Sequence, residues 1–189
     1  MHKILPKIFV FLDKYESQIF KNDNTNLGII YRNYNSKKRH IELAKIAKAC
    51  KINKKQLYVS NDLKLAFKYK AEGLYIPSFN RNKYFHNLSK TFKVIGSAHN
   101  QKEIKVKVSQ NCNTIFLSPL FYVKKSKMFL GVHKFNLLAI NNNKVKFLAL
   151  GGILENNIYK LKLLKTFGFG GIRLFKKKPA LKKAGFYKD

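Results

Sequence analysis

Cysteine is almost missing from these 189 residues: Cys50 and Cys112 are the only two. Two distant thiols without CxxC spacing build neither a disulfide framework nor a zinc cluster, and a reducing compartment is the expectation. Tryptophan is absent, and four Pro and ten Gly are too few for a low-complexity chain. Long hydrophobic runs are lacking too. IFVFL (8–12) stops at Asp13, too short for a signal sequence or a membrane span, and the run 145–154 contains Lys146 and a Gly pair. The chain reads as soluble and cytoplasmic, with no membrane partner. Its apolar share of 46% against 25% charged is a globular balance, and its length fits one domain over 1–189.

Acidic side chains are also scarce, nine against thirty-nine Lys and Arg, a net charge of +30. Such an excess points first to a polyanion, nucleic acid or an anionic surface. The kind of cation argues otherwise. Only Arg32, Arg39, Arg81 and Arg173 are Arg, whereas base-edge and bidentate phosphate recognition favours guanidinium. The abundance of Lys, Asn and Ile is what AT-rich codons supply. Lys45, Lys48, Lys102, Lys105, Lys160, Lys162 and Lys165 spread over expected outer helices as a solvated shell, and only Lys176–Lys178 with Lys182 and Lys183 cluster. A basic polyanion-binding protein is the minor reading, and no specific nucleic acid is expected.

Eight short β-rich runs are present: IFVFL (8–12), LGIIY (27–31), QLYVS (56–60), GLYI (73–76), KVIGS (93–97), NTIFLS (113–118), KVKFLAL (144–150) and GGIRLF (170–175). Helix-like spacing lies between several of them. Ile41, Leu43, Ala44, Ile46, Ala47 and Cys50 form one apolar face; Ile158, Leu161, Leu163, Leu164 and Phe167 form another, with Gly168 as its stop. Alternation of this kind implies parallel strands with right-handed crossovers. The expected fold is a compact α/β (β/α)8 TIM barrel with a short last helix; a doubly wound open sheet is the alternative. Function in such a barrel sits at the C-terminal strand ends. Those ends hold Asp13; Arg32, Asn33 and Tyr34; Asn61 and Asp62; Ser78 and Asn80; Ser97 and His99; Lys124, Lys125 and Lys127; Gly151 and Gly152; and Lys176. Cations with a Gly-rich turn suit a phosphorylated ligand.

The ordered series YRNYN, SND, GLYIPS, IGSAHN, SPLF, ALGGI and GFGGI resembles thiamine-phosphate synthase and its TenI-type relative, the thiazole tautomerase, from about residue 8 to 175. The resemblance implies a magnesium-dependent transferase of thiamine biosynthesis. It would join a hydroxymethylpyrimidine pyrophosphate to a thiazole phosphate, with pyrophosphate leaving before the thiazole nitrogen captures the pyrimidine-methyl cation. It also implies roles. Arg32 and Asn61 would hold pyrophosphate and Asp62 would bind Mg²⁺. Ser97 would sit beside the leaving group, and His99 is the acid/base of the tautomerase branch. Gly151 and Gly152 would receive the thiazole phosphate, completed near Phe175 and Lys176.

The same series departs from the synthase pattern. Ile30 and Tyr34 stand where Gln and Lys are expected, and Asn80 stands for a second metal-binding Asp. Val123, Lys124, Lys125 and Ser126 replace Thr-x-Thr-Lys, so Lys124, Lys125 or Lys127 would restore that cation and Lys37 or Lys38 the one near Arg32. Three readings follow: a divergent synthase, a TenI-like tautomerase or non-catalytic phosphate binder, and the polyanion binder. The oligomeric state is not legible.

Overall fold

The computed structural model describes residues 4–21, 26–34, 36–83, 88–89, 91–124, 126, 128–172 and 174–175. Eight strands form where the β-branched and aromatic runs lie: β1 (Ile8–Leu12), β2 (Leu27–Tyr31), β3 (Gln56–Ser60), β4 (Gly73–Ile76), β5 (Lys93–Ala98), β6 (Thr114–Leu117), β7 (Lys146–Leu150) and β8 (Gly168–Gly171). Each pairs in parallel with the next. β8 then pairs back onto β1 through Ile8 with Phe169, Phe9 with Gly170 and Val10 with Gly171, which closes the barrel and removes the open-sheet alternative. Around it lie α1 (Ser17–Phe20), α2 (Arg39–Ile52), α3 (Leu63–Lys68), α4 (Gln101–Ser109), α5 (Gly131–Ile140) and a 3-10 segment, Ile158–Leu163. Among the described residues, no helix is long and apolar enough to cross a membrane.

Strand alternation sorts the apolar side chains into two cores. Phe9, Phe11, Ile30, Tyr58, Tyr75, Ile95, Phe116 and Leu148 fill the barrel interior, while Val10, Leu12, Ile29, Val59 and their kind meet the helices outside. The interior is aromatic. Phe116 takes Phe9 and Phe11 edge-on at 5.4 and 5.3 Å, and Phe11 meets Tyr75 at 5.3 Å. Each such pair adds about 0.5–1.5 kcal/mol beyond the area it buries. The lumen is therefore packed, and a ligand can sit only above it, at the mouth.

Three sequence expectations need correction. The inner face of α2 is Leu43, Ile46, Ala49 and Cys50, while Ile41 and Ala44 face solvent; apolar residues exceeded what one helical stripe can bury. The stretch before β8 is not an α-helix but a 3-10 segment, whose three-residue period turns Ile158, Leu161 and Leu164 inward and leaves Leu163 62% exposed. β8 itself begins at Gly168, not Gly170, because Phe169 N donates to Lys7 O at 2.8 Å and the Lys7 carbonyl leaves no room for a Cβ at position 168. That glycine is a close approach to the neighbouring chain rather than a helix stop. The expected last helix falls in 176–189, outside the described residues.

Among the described residues, Lys55 and Lys107 are buried and do not belong to the solvated shell. Lys107, on the barrel side of α4, is fully buried, and its Nζ donates to Pro77 O at 2.8 Å, Asn80 O at 2.6 Å and Gln110 Oε1 at 2.9 Å. Gln110 Nε2 donates in turn to Asn80 O and Asn82 O at 3.0 and 2.8 Å. Together they tie the loop after β4 to α4. Lys107→Met would keep the stem but orphan buried carbonyls, and should lower stability by about 3 kcal/mol in chemical denaturation.

Candidate functional site

A closed parallel barrel sends every strand tip to one end, so the residues at those tips share one mouth. Backbone hydrogen bonds continue past the strands and hold the tips together: Arg32 N to Leu12 O at 2.8 Å, Asn61 N to Tyr75 O at 2.9 Å, Ser118 N to Ala98 O at 3.1 Å and Leu120 N to Leu150 O at 2.8 Å. Alternation along β3 and β5 turns Ser60 and Ser97 inward above the aromatic layer.

Arg32 follows β2 directly. Its Nε lies 3.7 Å from Asp13 Oδ1, and its guanidinium sits 5.7 Å from the Phe11 ring centre, above the barrel core. Tyr34 hydrogen-bonds Ser60 Oγ at 2.8 Å and meets Phe79 edge-on at 5.7 Å. Tyr75 hydrogen-bonds Ser97. Burial pushes both phenols above the ordinary tyrosine range, so each is a neutral hydroxyl near pH 7. Tyr34 also feels the positive charges of Arg32 and Arg39, and Tyr75 that of Arg32. Arg32, Tyr34, Ser60, Tyr75 and Ser97 thus form one polar group on the β2–β5 side.

Asn61 and Asp62 lie next to it. Asn61 takes the left-handed conformation at φ 58°, which Asn tolerates, and its Oδ1 accepts from Asn80 Nδ2. Asp62 caps α3: Oδ1 accepts from Leu65 N at 2.9 Å. Its Oδ2 accepts from Arg39 Nη1 at 3.0 Å, and Arg39 Nη2 donates to Ser60 O. Lys37 and Lys38, expected as stand-in cations, are exposed; Arg39 beside them is the one turned to the site.

The Mg²⁺ expectation therefore meets an occupied carboxylate. Mg²⁺ needs free oxygen ligands in a near-octahedral set, commonly one or two carboxylates with waters and phosphate. Both Asp62 oxygens already accept hydrogen bonds, and Asn80 turns an amide NH₂ toward Asn61. Among the described residues, no group of three or more His, Cys, Asp or Glu is placed to hold a metal. The donor set as arranged does not fit Mg²⁺.

On the opposite side, Gly151 and Gly152 follow β7 with φ +90° and +72°. A Cβ at Gly152 would lie 2.5 Å from Phe121 O, and one at Gly151 would lie 3.0 Å from Pro119 Cα. This turn is glycine by necessity, packed against the chain after β6. The Phe175 side chain is buried and stacks on Phe169 at 6.5 Å. Lys124 is exposed on the loop after β6, beside the Val123–Ser126 bridge. Lys125, Lys127 and Lys176 lie outside the described residues. His99 follows β5 directly, and its Nδ1 and its backbone N both contact Glu103 Oε2, at 2.8 and 2.9 Å, ahead of the Asn100 cap of α4. Arg39 and Tyr75 were missed by sequence reasoning. The signal for Arg39 was its rarity, one of four Arg among thirty-nine cations.

The fold and mouth define a (β/α)8 barrel protein whose polar side chains and glycine turn gather at the C-terminal face. A model of the thiamine monophosphate synthase family matches residues 24–174. The chain belongs to that family. A thiamine-phosphate synthase of Prochlorococcus marinus subsp. pastoris is 32% identical over 136 residues, covering 70% of this chain and 38% of that protein. A second, from Prochlorococcus marinus strain SARG, is 37% identical over 73 residues, 37% of this chain and 21% of that one. The chain thus spans about two fifths or less of the curated relatives it matches. Thiamine phosphate pyrophosphorylase from Pyrococcus furiosus superposes with a TM-score of 0.77 at 14% identity, over 95% of both chains. A 2-keto-3-deoxy-6-phospho-gluconate aldolase from Zymomonas mobilis gives 0.69 at 14% identity, over 97% and 94%. Identities this low speak for the shared barrel alone.

Gly152→Ala should cost about 1–3 kcal/mol, because the side chain meets both a left-handed φ and a backbone oxygen. A lowered denaturation midpoint with an unchanged m-value is the expected outcome.

Proposed function

We propose that this chain carries out the synthase reaction, joining the pyrimidine-methyl pyrophosphate to the thiazole phosphate with loss of pyrophosphate. The observation that carries the reading is the family match across residues 24–174, the stretch that contains Arg32, Ser97 and the Gly151–Gly152 turn. In the step itself, the bond from the methylene carbon to the pyrophosphate oxygen breaks and its electron pair leaves with pyrophosphate. The thiazole nitrogen lone pair then forms the new C–N bond, and the positive charge ends on the thiazolium.

The chain's own residues suit these charges. Arg32 offers a guanidinium fork to pyrophosphate oxygens at the point where their charge grows. The neutral hydroxyl of the partly exposed Tyr34 donates without adding charge, held by the buried Ser60, while Tyr75 and Ser97 are buried and pair with each other. The exposed rings of Tyr34 and Phe79 present π surface to a flat pyrimidine and its transient cation. The Gly151–Gly152 backbone receives the second phosphate across the mouth, which fixes the distance between the two reacting groups. Arg32→Gln should lower pyrophosphate release from the two substrates by about 100-fold in kcat/KM. Absence of any release from the wild-type protein rejects the reading.

A second reading, the TenI-like tautomerase, is favoured by the His99–Glu103 contact. A carboxylate 2.8 Å from Nδ1 orients the ring and leaves Nε2 to move a proton on a thiazole. His99→Asn would then abolish thiazole isomerisation while thiazole-phosphate affinity stays within about twofold, measured by calorimetry; unchanged isomerisation removes the role.

A further inference from the structure

The corner between β3, α2 and α3 holds a charge arrangement at odds with a metal site. Arg39 opens α2, is 15% exposed in its side chain, and reaches back over the Tyr31 ring at 5.7 Å to Asp62 Oδ2 at 3.0 Å. Its second terminal nitrogen donates to the Ser60 carbonyl. Its Nε is buried with no hydrogen-bond partner among the described residues. A buried donor left unmade is a penalty, so stability alone is a poor reason to hold a guanidinium there. What the arrangement does achieve is electrostatic. Asp62 is neutralised by a cation fixed to the chain, and the partner position that would have supplied a second carboxylate is the uncharged Asn80.

We propose that Arg39 takes the place of the divalent cation at this mouth: the chain binds a pyrophosphate-type anion without Mg²⁺, Arg39 cancelling the Asp62 carboxylate and Arg32 meeting the anion. The inference rests on the reading of the mouth as a pyrophosphate site. Its physical core is narrower: Arg39 withholds both the charge and the oxygen of Asp62 from a metal. A guanidinium is a weaker field than a divalent ion, but it is pre-positioned and costs no dehydration of Mg²⁺. A divalent ion would have to displace Arg39 from Asp62 and strand that cation in a half-buried corner beside the Arg32 charge.

Two titrations of the full chain test this. Inorganic pyrophosphate is titrated by calorimetry in EDTA and in Mg²⁺, with affinities corrected for Mg²⁺–pyrophosphate association. Mn²⁺ alone is followed by its electron paramagnetic resonance signal. The wild type should bind pyrophosphate with affinities within about twofold in the two conditions and take up no Mn²⁺ at Asp62. Arg39→Gln, or Arg39→Met if the first does not fold, should acquire Mn²⁺ binding that a further Asp62→Asn change removes. Its pyrophosphate affinity should become Mg²⁺-dependent by about tenfold. Wild-type Mn²⁺ uptake that Asp62→Asn abolishes overturns the inference. So does a tenfold loss of wild-type pyrophosphate affinity in EDTA, or a folded Arg39 variant that gains no metal binding. Failure of pyrophosphate to bind in either condition instead defeats the pyrophosphate-site reading, and the Mn²⁺ titration then decides the role of Arg39 by itself.

Discussion

The hydrogen-bonded seam between β8 and β1 is the constraint on which the rest depends. Three residue pairs along that seam convert a row of parallel strands into a ring. Once the ring is closed, every strand begins at one end and finishes at the other. Residues as far apart in the chain as Arg32 and Gly152 then share a mouth for a topological reason, with no long-range side-chain contact needed to bring them there. The aromatic interior built on Phe9, Phe11, Tyr58, Tyr75 and Phe116 stiffens the ring and sets a floor beneath the mouth. Chemistry is thereby confined to the loops above the floor.

Charge at that mouth is managed by a few fixed groups rather than by the large overall excess. The lysine shell is exposed and screened by salt within about 8–10 Å. The arginines are used differently. Arg32 lies over Phe11 near Asp13, and Arg39 is clamped between Asp62, Ser60 and Tyr31. Planar guanidinium suits both places, since it stacks on a ring and donates along two directions at once. Lys107 is the counter-example, a compact ammonium ringed by carbonyl oxygens that anchors the loop bearing Asn80.

Most of the barrel was legible before any coordinate. The β-rich runs predicted seven of the strands to within about two residues, the uncertainty usual for element ends. β8 shifted because Gly168 marks a close approach of two chains, and spacing along one chain carries no record of the other. The 3-10 segment escaped because a run of Leu and Ile satisfies several helical periods, and contact with the barrel selects among them. Strand order and resemblance point to Arg32, Asn61, Asp62 and Ser97, and the closed ring sets all four at the same end of the barrel. The Phe175 ring, beside the backbone amides expected near a phosphate, packs into the core on Phe169.

The alternation of strand and helix, the parallel sense of the sheet, the glycine turn after β7 and the family are all written in local spacing and short motifs. Which cation meets which carboxylate is settled in three dimensions alone. Arg39 and Asp62 are twenty-three residues apart, and nothing in one segment specifies the orientation of the other until ring closure sets α2 beside the tip of β3. An ion pair depends on distance and direction in space, and those exist only once the chain has folded.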